Sequence, residues 1–202
     1  IQFNEFLLSE EKQRLSWKRN IELHSLLEKI LPNKGHAFVE KITNMQKNNF
    51  LITQNIDGLH QKSGIRENKI IEIHVNAINA ACLECDAKQS ILDFHDAIKF
   101  NNPLPKCNDC GGVVKVATIS FGQPMNEMDM MRASNIVEES DLMIVMGSSL
   151  KVLPAGKLPN LAMQTGSKLI ILNRDKTRHD EHADIVINDE LKKICGRLMQ
   201  EF

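Results

Sequence analysis

A chain of 202 residues with 42% hydrophobic content can close one sizeable core, or one core and a small satellite. Its 25 basic and 26 acidic residues leave a formal net charge of −1, which gives no electrostatic ground for binding nucleic acid or an anionic membrane. No apolar run approaches the roughly 20 residues that span a bilayer, and Ile1 to Glu10 lack the basic-then-apolar pattern of a signal peptide.

In chain order, residues 10 to 30 read as a helix with Ile21, Leu23, Leu26, Leu27 and Ile30 apolar, stopped by Pro32. A second helix is expected over 35 to 48, with Phe38, Ile42 and Met45 on one face. Phe50 to Thr53 is a short strand, followed by the polar turn 54–58. Ile70 to Ile73 is another strand, ending at His74. Residues 76 to 112 change character: they hold four paired cysteines and a turn-rich stretch at Asn101 to Pro105. Val113 to Ile119 is extended, and Met130, Ala133, Ile136 and Val137 mark a helix. Leu142 to Met146 is a buried strand leading into Gly147-Ser148-Ser149. Residues 154 to 165 are helical, and strands follow at Lys168 to Leu172 and Asp184 to Ile187. The last helix starts near Asn188, a plausible N-cap, with Leu191, Ile194, Cys195, Leu198 and Met199 as its apolar stripe.

Short apolar strands alternating with helices predict an α/β fold: a Rossmann-like, mostly parallel sheet with helices on both faces. The expected domains are 1–75 with 113–202 for that sheet, and 76–112 as a small inserted zinc-binding module. Polar loops follow three strands, at 54–58, 147–149 and 173–175, and ligands bind at that edge of such sheets.

Five cysteines, two pairs of them closely spaced, do not suit a secreted disulfide scaffold. The expected setting is intracellular, reducing and cytoplasmic, and the expected state a monomer. Cys82-x2-Cys85 and Cys107-x2-Cys110 are separated by 21 residues. Each pair can place two sulfurs on one turn, and four thiolates at about 2.3 Å complete a tetrahedral Zn2+ site. Four protein ligands leave no open position, so this zinc is expected to be structural. Gly111-Gly112 suits a knuckle that needs backbone freedom. A nucleic-acid ribbon uses the same cysteine pattern, but residues 76 to 112 supply only Lys88, Lys99 and Lys106 with Phe94 and Phe100. Cys195, on its apolar stripe, reads as a small core residue.

His74 ends a strand at the ligand edge, where a neutral imidazole suits a general base. Gln54-Asn55-Ile56-Asp57-Gly58-Leu59-His60, Glu72-Ile73-His74, the cysteine pairs, Ser120-Phe121-Gly122, Gly147-Ser148-Ser149-Leu150 and Asn173-Arg174-Asp175 stand in one order. Together they closely resemble the sirtuin family of NAD-dependent protein deacylases. Pro32-Asn33 followed by His36 is similar to that family's helix before the QNID strand. The resemblance covers nearly all of the chain.

The resemblance implies that NAD and an acyl-lysine peptide bind in a cleft beside the zinc module. It implies that Gln54, Asn55, Ile56 and Asp57 line the nicotinamide–ribose pocket. The acyl oxygen attacks ribose C1′ as nicotinamide leaves. His74 then takes a proton from the ribose hydroxyl, and the acyl group ends on ADP-ribose. Phe121 and Gly122 correspond to the strand that pairs with the peptide backbone. Gly147, Ser148 and Ser149 correspond to the loop at the adenosine portion, and Asn173, Arg174 and Asp175 to the adenine–ribose edge. Taken singly, Asp57 could cap a turn, Ser148 and Ser149 the next helix, and Asn173 a turn of its own. His24, His36, His60, His95, His179 and His182 read as surface or structural residues.

The family's opening Gly-Ala-Gly-Ile-Ser type loop and Asp-Phe-Arg stretch do not occur here, and the chain starts at Ile1, as a portion of a longer protein would. A protein that began there would lack the helix N-terminus under the pyrophosphate. That expectation carries an alternative reading, a catalytically impaired peptide-binding relative; mono-ADP-ribosyl transfer is the other. Val75 stands where the family usually has Gly, and a β-branched residue resists positive φ. Gln123 stands where many members carry Glu. The chain has no Tyr. Desuccinylating sirtuins use a Tyr and an Arg in the acyl pocket, and the stretch Leu15 to Arg19 supplies no Tyr, so deacetylation is expected.

Overall fold

The computed structural model describes residues 1–96 and 103–201. Lys99, Phe100 and the start of the turn expected at Asn101–Pro105 lie outside them. In chain order the elements are α1 Phe3–Leu8, α2 Glu10–Leu27, α3 Lys34–Met45, β1 Leu51–Thr53, α4 Leu59–Lys62, β2 Ile70–Glu72, β3 Asn79–Cys82 and β4 Lys88–Ser90. Then come β5 Val114–Val116, α5 Glu127–Glu138, β6 Leu142–Met146, α6 Leu158–Gln164, β7 Lys168–Leu172, β8 Ile185–Ile187 and α7 Leu191–Leu198. No described helix is long and apolar enough to cross a membrane.

The chain divides into two compact units. The first holds Ile1–Leu31, Gln54–Leu59 and His74–Met125, so the cysteine-bearing unit extends well beyond 76–112. Its sheet is antiparallel, in the order β4-β3-β5. The core is Trp17, Ala80, Cys82, Ile91, Phe94, Cys107, Val114 and Val116, and the Trp17 and Phe94 rings sit 5.3 Å apart at 58°. Helix α2 joins this core by Trp17 and Ile21, and His24 is buried one turn further on. That corrects the expected stripe, because Leu26 and Ile30 are exposed and the helix ends at Leu27. Two residues with strong helical spacing, Trp17 and Ile21, outweigh the leucines because the ring has a bulky apolar site to fill. The Ser9 side chain caps α2 by accepting from the Lys12 N–H, which separates it from the short α1.

The second unit holds Pro32–Thr53, His60–Ile73 and Asn126–Phe202. Its strands are all parallel but form two sheets rather than one: β1-β2, and β6-β7-β8. Val145, Leu150, Leu169 and Ile171 form the core of the larger sheet, with Met163 of α6 packed on it. Leu142 is more exposed than a buried strand would allow. Helix α5 packs on β2, α6 on β6 and β7, and α3 against α7. Lys69 is buried and donates to the Thr43 and Gln46 carbonyls, which satisfies orphan acceptors at the end of α3. Met45, expected on the apolar face of α3, is exposed. Asn188 does not cap the last helix: Glu190 holds the N-cap position, and the Asn188 amide donates to the Asn173 carbonyl instead. Cys195 is fully buried on α7, beside Ile194.

Candidate functional site

The cysteine unit brings its four thiols together. All four sulfurs lie within 4.8 Å of one another, with Cys82–Cys110 at 3.5 Å and Cys85–Cys107 at 3.7 Å. A tetrahedron with metal–sulfur bonds of about 2.3 Å has edges of roughly 3.8 Å, so the cluster fits one zinc ion. The two knuckles share a geometry. The residue after each second cysteine is left-handed, Asp86 at φ +58° and Gly111 at φ +73°. N–H groups within each knuckle also point at sulfur: Glu84 N at Cys82 Sγ and, just past the left-handed Gly111, Gly112 N at Cys110 Sγ, both at 3.4 Å. Gln89 adds a side-chain donor to Cys107 Sγ at 3.2 Å. The knuckle donors follow the cysteine spacing, whereas nothing in the spacing marks Gln89.

The charge balance also calls for a cation. Backbone N–H groups of Cys110 and Asp109 pull the Cys107 thiol down to about 7. Cys85, despite an Ala87 N–H that favours its thiolate, is pushed up to about 12 by Cys110 and by burial. Four thiols this close cannot all ionise side by side unless a positive ion joins them.

In the same unit, loop 54–57 and loop 74–77 are tied together. The His74 Nδ1 lies 3.0 Å from the Gln54 carbonyl, and Ala77 N donates to the Ile56 carbonyl at 2.9 Å. A carbonyl can only accept, so Nδ1 carries a proton, and in the neutral ring Nε2 keeps its lone pair. His74 is half-buried, and Ile119 N donates to its main-chain oxygen at 3.2 Å. Val75 does take a positive φ, +55°, so the loop keeps the left-handed turn that the family's Gly would make. Asp57 Oδ1 accepts from Leu59 N at 3.0 Å, the turn-capping role open to it from the sequence. Phe121 and Gly122 are exposed; Gly122 has φ +80° and Phe121 accepts from Phe3 N. Gln123 closes this turn: its N–H donates to the Ser120 carbonyl and its side chain accepts from Ser120 N.

The second unit gathers the other predicted residues at the carboxyl ends of β6 and β7. Gly147 N donates to the Leu172 carbonyl, and Asn173 N to that of Ile187. Gly147 has φ +62°, a conformation glycine adopts without strain, and a Cβ there would have to displace Leu191 Cδ1, 2.7 Å away. Ser148 Oγ accepts from Leu150 N, a local turn rather than a helix cap. Asn173 is buried and its amide donates to the Asp175 carbonyl. Arg174 and Asp175 form an exposed ion pair at 3.1 Å, in which hydrogen bonding to Arg174 lowers the Asp175 carboxyl. Bared backbone at Gly147–Ser149 next to a buried amide suits a nucleoside.

Residues 2–154, more than half of the chain, match the Sir2 family. A NAD-dependent protein deacetylase of Rhodopseudomonas palustris is 36% identical over 196 residues, covering 97% of this chain and 78% of that protein. NAD-dependent protein deacetylase 1 of Bradyrhizobium diazoefficiens is 37% identical over 196 residues, covering 97% and 77%. Among solved structures, Sir2Tm bound to a propionylated peptide matches with a TM-score of 0.87 at 28% identity, covering 99% of this chain and 82% of that one. A Sir2 chain with p53 peptide and NAD+ matches at 0.79 and 31% identity, covering 87% and 72%. The chain therefore belongs to the Sir2 family.

Proposed function

We propose that this protein is a NAD-dependent protein-lysine deacetylase, acting on an acylated-lysine protein or peptide in the cytoplasm. The observation that carries this reading is the contact between His74 Nδ1 and the Gln54 carbonyl. The Nδ1–H is committed to that carbonyl, which leaves Nε2 of the neutral ring as a base. NAD, when bound, supplies ADP-ribose as the acyl acceptor and nicotinamide as the leaving group. In this reading Gln54, Asn55, Ile56 and Asp57 hold the nicotinamide–ribose portion, and His74 Nε2 takes the proton of the ribose hydroxyl. Gly147, Ser148, Ser149, Asn173, Arg174 and Asp175 hold the adenosine portion. Phe121 and Gly122, both exposed residues, are where the peptide backbone pairs, although the Phe121 carbonyl is already taken by Phe3 N. Cys82, Cys85, Cys107 and Cys110 hold a structural zinc, which orders the unit carrying His74 and takes no part in the chemistry.

The test compares wild type with His74→Ala on acetyl- and succinyl-lysine peptides, following peptide mass and nicotinamide release. Wild type should deacetylate faster than it desuccinylates. His74→Ala should lose deacetylation by about 10²–10⁴-fold, the usual weight of a general base. Equal turnover by the two proteins would remove His74 from the mechanism. Binding of acetyl peptide by wild type without turnover would favour a peptide-binding module.

A further inference from the structure

Antiparallel pairing turns the odd-numbered residues of the stretch 113–119 toward β3 and His74. Leu83 N donates to Val113 O, Ala117 N to Asn79 O and Ile119 N to His74 O, at 2.9, 2.8 and 3.2 Å. The even-numbered carbonyls therefore face away, and no described strand pairs with β5 on that side. Two side chains take them instead. Trp17 Nε1 donates to Val114 O at 3.2 Å. Lys115 Nζ donates to Val116 O at 3.0 Å and to Thr118 O at 2.5 Å.

Lys115 is 3% exposed, a rare position for an ammonium group. Desolvation lowers its pKa to about 8, so it is still mainly a cation near neutral pH. Its two hydrogen bonds are thus charge-assisted and stronger than neutral ones. The second acceptor matters most. Thr118 C=O and Ile119 N–H are the two ends of one planar trans peptide group. Lys115 holds the oxygen end, and the nitrogen end holds the His74 carbonyl. A donor on the oxygen also polarises the N–H, which strengthens the bond it makes.

We propose that Lys115 is a positioning residue for His74, fixing the main chain of the base through the Thr118–Ile119 peptide plane. The inference rests on the reading of His74 as the base. It does not extend to the segment at Phe121, because the Ser120–Gln123 turn is closed by its own bonds. In the proposed reaction nicotinamide departs before the base acts. A displaced base should therefore slow acyl transfer while sparing nicotinamide exchange, a split that general loosening of the fold would not produce.

The experiment compares wild type, Lys115→Met and Lys115→Arg. It reads bound zinc, amide hydrogen exchange at Ile119, deacetylation kinetics and exchange of labelled nicotinamide. In zinc-loaded Lys115→Met, Ile119 exchange should accelerate and the deacetylation kcat fall about tenfold, while peptide KM and nicotinamide exchange stay within about twofold. Lys115→Arg, which keeps the charge and the donors, should recover most of the lost kcat. Unchanged Ile119 exchange, unchanged kcat, or a parallel fall in deacetylation and nicotinamide exchange would each overturn the proposal. If Lys115→Met does not retain zinc, Lys115→Gln, whose shorter amide reaches fewer acceptors, is judged on the same pattern with smaller changes. If wild type itself shows no turnover, the reading of His74 fails. Ile119 exchange still judges the brace in that case: faster in Lys115→Met sustains it, unchanged rejects it.

Discussion

Val75 follows the base and holds φ at +55°, where its branched side chain crowds the next carbonyl. A left-handed conformation costs an ordinary residue about 1–2 kcal/mol. Val75→Gly should therefore raise the unfolding midpoint by a few degrees, about what 1 kcal/mol is worth at this chain length. A lower midpoint in a melting experiment would mean that the packing of the isopropyl group outweighs the strain. Lys115 makes a second prediction at this scale. Its folded pKa of about 8 lies below the ordinary 10.5, so between those values the unfolded chain binds more protons. Stability from this group then rises as pH rises from about 8 to 10.5, and below 8 the burial penalty is present in full. The interval corresponds to about 3 kcal/mol at most. Denaturant unfolding of wild type and Lys115→Met at pH 7.5 and 10 should show wild type gaining on the variant at the higher pH. A gap that stays constant or shrinks would contradict the burial argument.

Elements were legible in proportion to how little they depend on distant partners. β6 and β7 are apolar five-residue runs between polar turns, and their bounds follow from the sequence alone. The cysteine knuckles are equally local. The three residues of β4 carry no readable period, and α1 and α4 are too short to show one, whereas β5 lies within the extended stretch expected at Val113 to Ile119. The face of α2 was misread because the partner that selects Trp17 and Ile21 is a core built from residues 80 to 116. That dependence can be tested. Trp17 is the single tryptophan, and its core includes the ligands Cys82 and Cys107. Metal analysis should find one zinc per chain, and a chelator or Cys107→Ser should release it. Release should shift tryptophan emission to the red and abolish deacetylation together. A zinc-free protein with unshifted emission and full turnover would refute the structural role assigned to the ion.

At the scale of the whole molecule, the candidate site was legible because its residues come as contiguous motifs, each fixed by its own loop. Gln54 to Asp57 and His74 are tied together by hydrogen bonds between loops, and Phe121 belongs to the same unit. Lys115 escaped notice because a lysine in a strand reads as a solvated charge, and only the fold reveals that its end is enclosed. The side-chain caps along β5 have one more consequence, for solubility. A strand edge with free carbonyls is a template on which another copy can add a strand. Here Trp17 and Lys115 occupy the acceptors at Val114, Val116 and Thr118. The double substitution Trp17→Phe with Lys115→Met should therefore turn a folding defect into an assembly defect, seen as concentration-dependent light scattering beyond that of either single variant.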